Sequence, residues 1–253
     1  MKRILVVGAH SYIGSSFQAY LRQWAEQYTV DAISVRDDKW KKRSFAEYDA
    51  VLYAAGIVHQ KETDENRAFY EQVNCHLAAA LAEKAKLEGT RQFIYLSSAS
   101  VYGMDEGVIT AGTRPAPTTA YGRSKLHAEE ALRPLADDSF AVALLRIPMV
   151  YGPGCKGNYQ ALVKIARRAP VFADYSNQRS MIAVERLAEF VKSLVDERRG
   201  GIFFPQDPSY ICTCQMIRQI AQAEGKRLPL TPLLNPAIWL LKACSFKGKK
   251  AFG

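Results

Sequence analysis

Tyr121 and Lys125 stand four residues apart, a spacing that places both side chains on one face of a helix. An ammonium beside a phenol favours the phenolate and lowers the phenol's pKa. Upstream, Tyr95-Leu96-Ser97-Ser98-Ala99-Ser100 reads as the end of a strand that carries several hydroxyls. A serine from that strand end can hold one substrate oxygen together with the phenol. Such a trio moves a proton to or from an alcohol being oxidised or a ketone being reduced. That chemistry also needs a hydride acceptor.

The N-terminal segment is built to hold one. Ile4-Leu5-Val6-Val7 is an unbroken apolar run, as expected for a central parallel strand buried on both faces. It leads into Gly8-Ala9-His10-Ser11-Tyr12-Ile13-Gly14. Gly8 permits a sharp turn and Gly14 a close approach of helix to strand. The backbone N–H groups at the helix start, around Ser11, Tyr12 and Ile13, can hold a pyrophosphate. Ser11 stands where a further glycine is usual, so the motif is degenerate.

Strands are predicted at 3–7, 29–35, 49–54, 92–97, 140–146 and 201–204. Helices are predicted at 12–27, 66–88, 120–133, 158–168, 185–197 and 213–224. This alternation predicts an α/β fold, a doubly wound parallel sheet with a small C-terminal substrate lobe. Residues 1–150 read as the dinucleotide-binding core, and 151–253 as a lobe interleaved with it.

Composition fits a globular protein, with 48% hydrophobic and 23% charged residues. The five cysteines, Cys75, Cys155, Cys212, Cys214 and Cys244, show no metal-ligand spacing, so no metal is expected. They read as reduced thiols of a cytoplasmic protein. Met1-Lys2-Arg3 runs straight into a strand with no apolar leader, and no segment reaches the ~20 apolar residues of a membrane span. The net charge of +9 is scattered, which suits anionic substrates better than nucleic acid. The apolar stretch Pro236–Phe246 before Lys247, Lys249 and Lys250 reads as a helix packed on the lobe rather than a membrane foot.

Taken in order, these segments resemble the extended short-chain dehydrogenase/reductases, in the NAD-dependent epimerase/dehydratase branch that works on nucleotide sugars, UDP-glucose 4-epimerase-like enzymes among them. The resemblance spans residues 2–204 and rests on further segments. Leu52-Tyr53-Ala54-Ala55-Gly56 looks like the strand end beside the cofactor. Asn74 matches the helix asparagine of the family. Leu145–Gly154, with Pro148, looks like the strand and loop beside the nicotinamide. Gln178-Arg179-Ser180 resembles the segment whose arginine binds the substrate diphosphate, and Asn158 a nucleotide contact.

The resemblance implies an NAD(P)-binding Rossmann fold and singles out Ser98, rather than Ser97 or Ser100, as the catalytic serine. It implies that Tyr121 takes the proton from a sugar hydroxyl while hydride leaves the same carbon. Lys125 is expected to lower the Tyr121 pKa and bond the nicotinamide ribose. Dehydratases of the family carry an Asp-Glu pair after the catalytic hydroxyl residue; here Ala99-Ser100 stand there, so dehydration is not expected. Two reactions remain: 4-epimerisation of a nucleotide-diphosphate sugar, such as a UDP-sugar, through a 4-keto intermediate, or NADPH-dependent reduction of a 4-keto-6-deoxy sugar. A non-catalytic dinucleotide-binding module is the third reading, and the intact trio argues against it.

The cofactor choice falls on the end of the second strand. Ser34 and Arg36 suit the 2′-phosphate of NADP, whereas Asp37 suits the ribose hydroxyls of NAD, so the expectation is NAD or NADP. His10 and His59 lie near this region and receive no catalytic role. A homodimer through helices 66–88 and 120–133 is the assembly the resemblance implies.

Overall fold

The structure is a computed structural model that describes residues 1–58, 63–155 and 158–244. The chain divides into two compact units. The first comprises Met1–Gly103, Ala111–Pro148 and Ile182–Gln206; the second comprises Met104–Thr110, Met149–Met181 and Asp207–Gly253. The stretch Ile182–Gln206 therefore returns to the first unit from within the predicted lobe.

The first unit is organised by β1 (Lys2–Val7), β2 (Tyr28–Ile33), β3 (Ala50–Tyr53), β4 (Gln92–Ser98), β5 (Ala141–Ile147) and β6 (Gly201–Phe203). They form one sheet in the order β2-β1-β3-β4-β5-β6, with every neighbouring pair parallel. The longer helices of this unit are α1 (Tyr12–Leu21), α2 (Asp64–Glu71), α3 (Leu77–Leu87), α4 (Ala120–Leu132) and α5 (Val184–Glu197). Apolar runs without alternation become strands covered on both faces. Leu5, Val7, Val51, Tyr53, Phe93, Tyr95, Val142 and Leu144 share one core with Ala78, Leu81 and Ala85 of α3 and Ala128 and Leu132 of α4. The period of two sends Ile4, Val6, Leu52 and Ile94 to the opposite face. They are fully buried there, and α1 packs against α5.

From β1 the chain passes to β2 on one side and then to β3 on the other. The order reverses between β1 and β3. In open α/β sheets the crevice at the carboxyl ends of the strands beside such a reversal receives the ligand.

Two predicted helices differ from the observed ones. Helix 12–27 ends at Leu21 and tightens into a 3₁₀ turn, Arg22–Trp24. Helix 66–88 is interrupted by a π turn at Gln72–His76, where the Leu77 N–H reaches back five residues to the Gln72 carbonyl.

In the second unit, the helices Asn158–Arg168 and Thr213–Ala223 pack together over Leu162, Ala166, Met216, Ile217 and Ala221. Phe172–Ala173 pairs with Leu230–Thr231, and Arg179 bridges Ile211 in antiparallel fashion. No helix among the described residues is long and apolar enough to cross a membrane.

Candidate active site

The turn after β1 is pressed onto the chain leaving β3. Gly8 has a φ of +107°, and a Cβ on it would lie 2.6 Å from the Ala55 nitrogen and 2.9 Å from the Ala54 carbonyl carbon. Only glycine meets both demands. Ser11 then caps α1, its hydroxyl accepting from the Gly14 N–H at 3.1 Å. Its φ of −72° needs no glycine. The serine in the degenerate motif is thus a helix cap, one of the residue types favoured at that position. A Cβ on Gly14 would sit 2.5 Å from the Ser11 Oγ and 3.0 Å from Val6, so Gly14 is what lets α1 lie close to β1. Tyr12 and Ile13 open the first turn of α1, where a helix presents backbone N–H groups outward.

The π turn carries Asn74. The tyrosine hydroxyls of β3 and β4 meet the turn's carbonyls: Tyr53 donates to Val73 O at 2.5 Å, and Tyr95 to Asn74 O at 2.7 Å. The fully buried Asn74 side chain accepts from Ile57 N at 2.9 Å and donates to Ser124 Oγ on α4 at 3.0 Å. It therefore ties the segment after Gly56 to the helix bearing Tyr121 and Lys125. A Cβ on Gly56 would come within 3.2 Å of the Asn74 Oδ1 and 3.6 Å of the Lys125 Nζ.

Ser98, Tyr121 and Lys125 come together at the carboxyl end of β4. Thr119 caps α4 by accepting from Gly122 N at 3.0 Å. A Cβ on Gly122 would lie 2.5 Å from Ser100 O, so this glycine allows α4 to start against the turn that follows Ser98. The Ser98 hydroxyl accepts from Ser100 N at 3.1 Å and lies close enough to the Tyr121 phenol to lower its pKa. Lys125 is buried, donates to Leu96 O at 2.8 Å, and lies over the Tyr95 ring at 4.6 Å and the Tyr121 ring at 5.9 Å. Tyr70 meets Tyr121 edge-on at 6.3 Å.

Burial pushes the Tyr121 phenol up to about 12; Ser98 opposes this and Tyr70 reinforces it. Burial also brings Lys125 down to about 7, opposed by Glu129. Desolvation is the largest influence on both groups, on Lys125 because it is buried and on Tyr121 because it is half-buried against Tyr70 and Lys125. Without a further positive charge, Tyr121 is a neutral phenol at neutral pH.

Sequence reasoning passed over the layer beneath. Glu129, one helical turn beyond Lys125, is fully buried and forms a forked pair with Arg146, whose Nη2 donates to Oε2 at 2.6 Å. Ser97 donates to the same carboxylate at 2.5 Å, and Arg146 donates to the Tyr102 hydroxyl at 2.6 Å. The Arg146 guanidinium also lies over the Tyr102 and Phe204 rings. Ser97 is thereby accounted for as a support of this pair. Glu129 was findable in principle, because it continues the four-residue spacing of Tyr121 and Lys125.

The other expected residues fall in three places. Ser34 and Arg36 follow the end of β2; the Ser34 hydroxyl accepts from Arg36 N at 3.3 Å, and Arg36 is exposed. Asp37 is occupied by the Lys39 backbone and ammonium. Pro148 directly follows β5. Arg179 belongs to the second unit, is half-buried, and its guanidinium pKa is lowered by burial. Asn158 opens a helix of that unit, and its side chain lies outside the described structure, as does His59. Among the described residues no group of three or more His, Cys, Asp or Glu is placed to hold a metal ion.

This arrangement has counterparts. The sequence pattern of the "NAD dependent epimerase/dehydratase family" matches residues 4–203. The chain belongs to that family. A UDP-glucose 4-epimerase of Vibrio cholerae is 31% identical over 205 residues, covering 76% of this chain and 61% of that protein. The chain thus spans about three fifths of the length of that relative. Among solved structures, UDP-glucuronic acid 4-epimerase from Bacillus cereus in complex with NAD superposes with a TM-score of 0.74 at 21% identity, covering 90% of this chain and 86% of the other. A dTDP-4-dehydrorhamnose reductase from Bacillus anthracis in complex with NADP gives 0.73 at 17% identity, covering 91% and 84%. At such identities these two establish the fold of this family member, and they show that one fold serves both reactions.

Proposed function

We propose that this family member is an NAD(P)-dependent nucleotide-sugar 4-epimerase acting on a UDP-sugar through a 4-keto intermediate. The observation that carries the reading is the meeting of Ser98, Tyr121 and Lys125 at the end of β4, with Gly56 beside the lysine and Asn74 bonded to Ser124 of the same helix. The cofactor's place is the turn Gly8–Gly14, the strand end Ala54–Gly56 and the residues Ser34, Arg36 and Pro148. The positive φ of Gly8 and its contact with Ala55 fit a backbone that must approach a dinucleotide closely.

When bound, the dinucleotide supplies the nicotinamide ring that accepts the hydride and returns it. Ser98 holds the sugar hydroxyl and passes its proton to the Tyr121 oxygen. Tyr121 must lose its own proton first, and its raised pKa means that a positive charge has to arrive beside it. Lys125 in its protonated form and the oxidised cofactor are the two sources of that charge. Returning the proton and hydride to the opposite face of the ketone inverts C4. Asn74 positions α4 through Ser124, and Arg179 pairs with the diphosphate through its fork of donors.

A second reading, the NADPH-dependent 4-keto sugar reductase, is favoured by one observation: Asp37 is engaged by Lys39, while Arg36 stands exposed beside Ser34. The test is to incubate the purified chain with UDP-glucose, UDP-N-acetylglucosamine and each dinucleotide, and follow C4 stereochemistry by NMR. Interconversion of C4 epimers with no net consumption of cofactor is the expected result. Stoichiometric loss of NADPH with a 4-keto sugar, and none of the epimerisation, would replace the epimerase by the reductase.

A further inference from the structure

The second unit holds two thiols that this chemistry does not use. Cys212 and Cys214 flank Thr213 at the start of the helix Thr213–Ala223, and their sulfurs lie 3.0 Å apart. Cys212 is half-buried and Cys214 is buried. Cys212 is the residue before the helix, in extended conformation, with its Sγ 3.3 Å from Tyr175 O. Asn177 clamps the helix start, accepting from Thr213 N at 2.9 Å and donating to Thr213 Oγ1 at 3.1 Å.

The two sulfurs differ in character. Burial raises the Cys212 thiol, but the backbone N–H groups of Asn177, Gln215 and Cys214, together with the Cys214 thiol, outweigh it and hold it below the ordinary thiol value. Burial, with Cys212 and Asp174 close by, pushes Cys214 up to about 12. One sulfur is thus accessible and inclined to be a thiolate; its neighbour is buried and protonated. That is the division of labour between an attacking and a resolving cysteine. Cys75 and Cys155 are buried with raised pKa values, which makes them poor nucleophiles.

The position of the pair matters. Ile211, immediately before Cys212, exchanges two backbone hydrogen bonds with Arg179, each 3.0 Å long. The backbone adjoining Cys212 is therefore bonded directly to that of Arg179.

We propose that Cys212 and Cys214 form a redox-modification site for small peroxides, closing to an intramolecular disulfide that displaces the Ile211–Arg179 bridge and weakens diphosphate binding. The Cys212 thiolate attacks one peroxide oxygen; the O–O bond breaks, hydroxide leaves, and the sulfur becomes a sulfenic acid as the peroxide is reduced. The Cys214 thiol then attacks that sulfur. The S–S bond forms, the S–O bond breaks, and the hydroxyl departs with the thiol proton as water. A dithiol reductant reverses the closure. The effect on binding rests on the reading of Arg179 as the diphosphate contact; the disulfide does not.

The experiment uses the full chain with the exposed Cys244 replaced, Cys244→Ser. Hydrogen peroxide is added, and intact mass and peptide mapping follow the thiols. Loss of two hydrogens, with a Cys212–Cys214 cross-link that dithiothreitol removes, is expected. Adding Cys214→Ser should leave a dimedone-reactive sulfenic acid at Cys212, and adding Cys212→Ser should leave Cys214 unreacted. Two free thiols after peroxide, or oxidation of Cys212 to the sulfinic acid while Cys214 is present, would overturn the site. UDP affinity, read by calorimetry, should fall about fivefold or more on oxidation. Unchanged affinity would overturn the coupling. If Arg179→Gln leaves UDP binding of the reduced protein untouched, the Arg179 reading and the coupling fall together while the disulfide stands.

Discussion

The end of β4 and the segment around Arg179 are built in opposite ways. At the first, buried polar groups are locked to one another: Asn74 to Ile57 and Ser124, Lys125 to Leu96, Glu129 to Arg146 and Ser97. At the second, a half-buried arginine exchanges backbone hydrogen bonds with Ile211, the neighbour of Cys212, whose thiol lies against that of Cys214. Such locking at the first suits the proposed proton and hydride transfer, which requires fixed geometry. The second, in the proposed function, would present charge to a diphosphate. Under the proposed function, the proton-transfer trio and the diphosphate contact would fall in separate units of the chain.

That contrast can be broken at its strongest point by Tyr121→Phe. Turnover should fall about 10²–10⁴-fold, with dinucleotide affinity and thermal stability unchanged, as measured by steady-state kinetics, calorimetry and melting. A fall in cofactor affinity of the same size would show that the phenol binds rather than reacts.

Next in size is Glu129→Gln. It leaves Arg146 buried without its counter-charge and should cost about 3–5 kcal/mol of unfolding free energy by urea titration. Arg179→Gln should do the reverse. Stability stays level while the UDP dissociation constant rises about 10–100-fold, the worth of hydrogen bonds to a charged group. If both variants lost stability equally, the distinction between a locked and a loose region would fail.

Lys125→Met tests what burial costs the locked region. Its folded pKa of about 7 lies below the ordinary 10.5, so between those values the unfolded chain binds more protons. Stability of the cofactor-free protein should therefore climb with pH from about 7 to 10.5 and level off above it. The methionine variant should lose that slope along with activity, and it should melt a few degrees higher than the parent near pH 7.5, with melting scans across pH as the check. The smallest effect is expected from Arg36→Ala: the ratio of NADPH to NADH affinity falls about tenfold, with NADH binding level, in paired titrations.

The residues with a local signature were legible. Ile4–Val7, Gly8, Gly14 and the Tyr121/Lys125 pair announce themselves through run, turn and helical spacing, and the sheet and helices lie where those periods place them. Asn74 and Ser98 needed family resemblance, since an asparagine in a helix and one serine among three have no signature of their own. The π turn at Gln72–His76 was hidden because its carbonyls are met by Tyr53 and Tyr95, distant in the chain. The Glu129–Arg146 pair joins a helix to a strand, and only packing makes it visible.

The order of strands and helices, the glycine turn after β1 and the four-residue spacing of Tyr121 and Lys125 were determined by the sequence alone, because each depends on neighbours within a few residues. The sheet order β2-β1-β3-β4-β5-β6, the layer that supports Lys125 and the upward shift of Tyr121 were decided only by the tertiary structure. Sheet order is a matter of long-range pairing. The pKa shift follows from water excluded by residues far away in the chain, and desolvation there outweighs the attraction that spacing on one helix suggests.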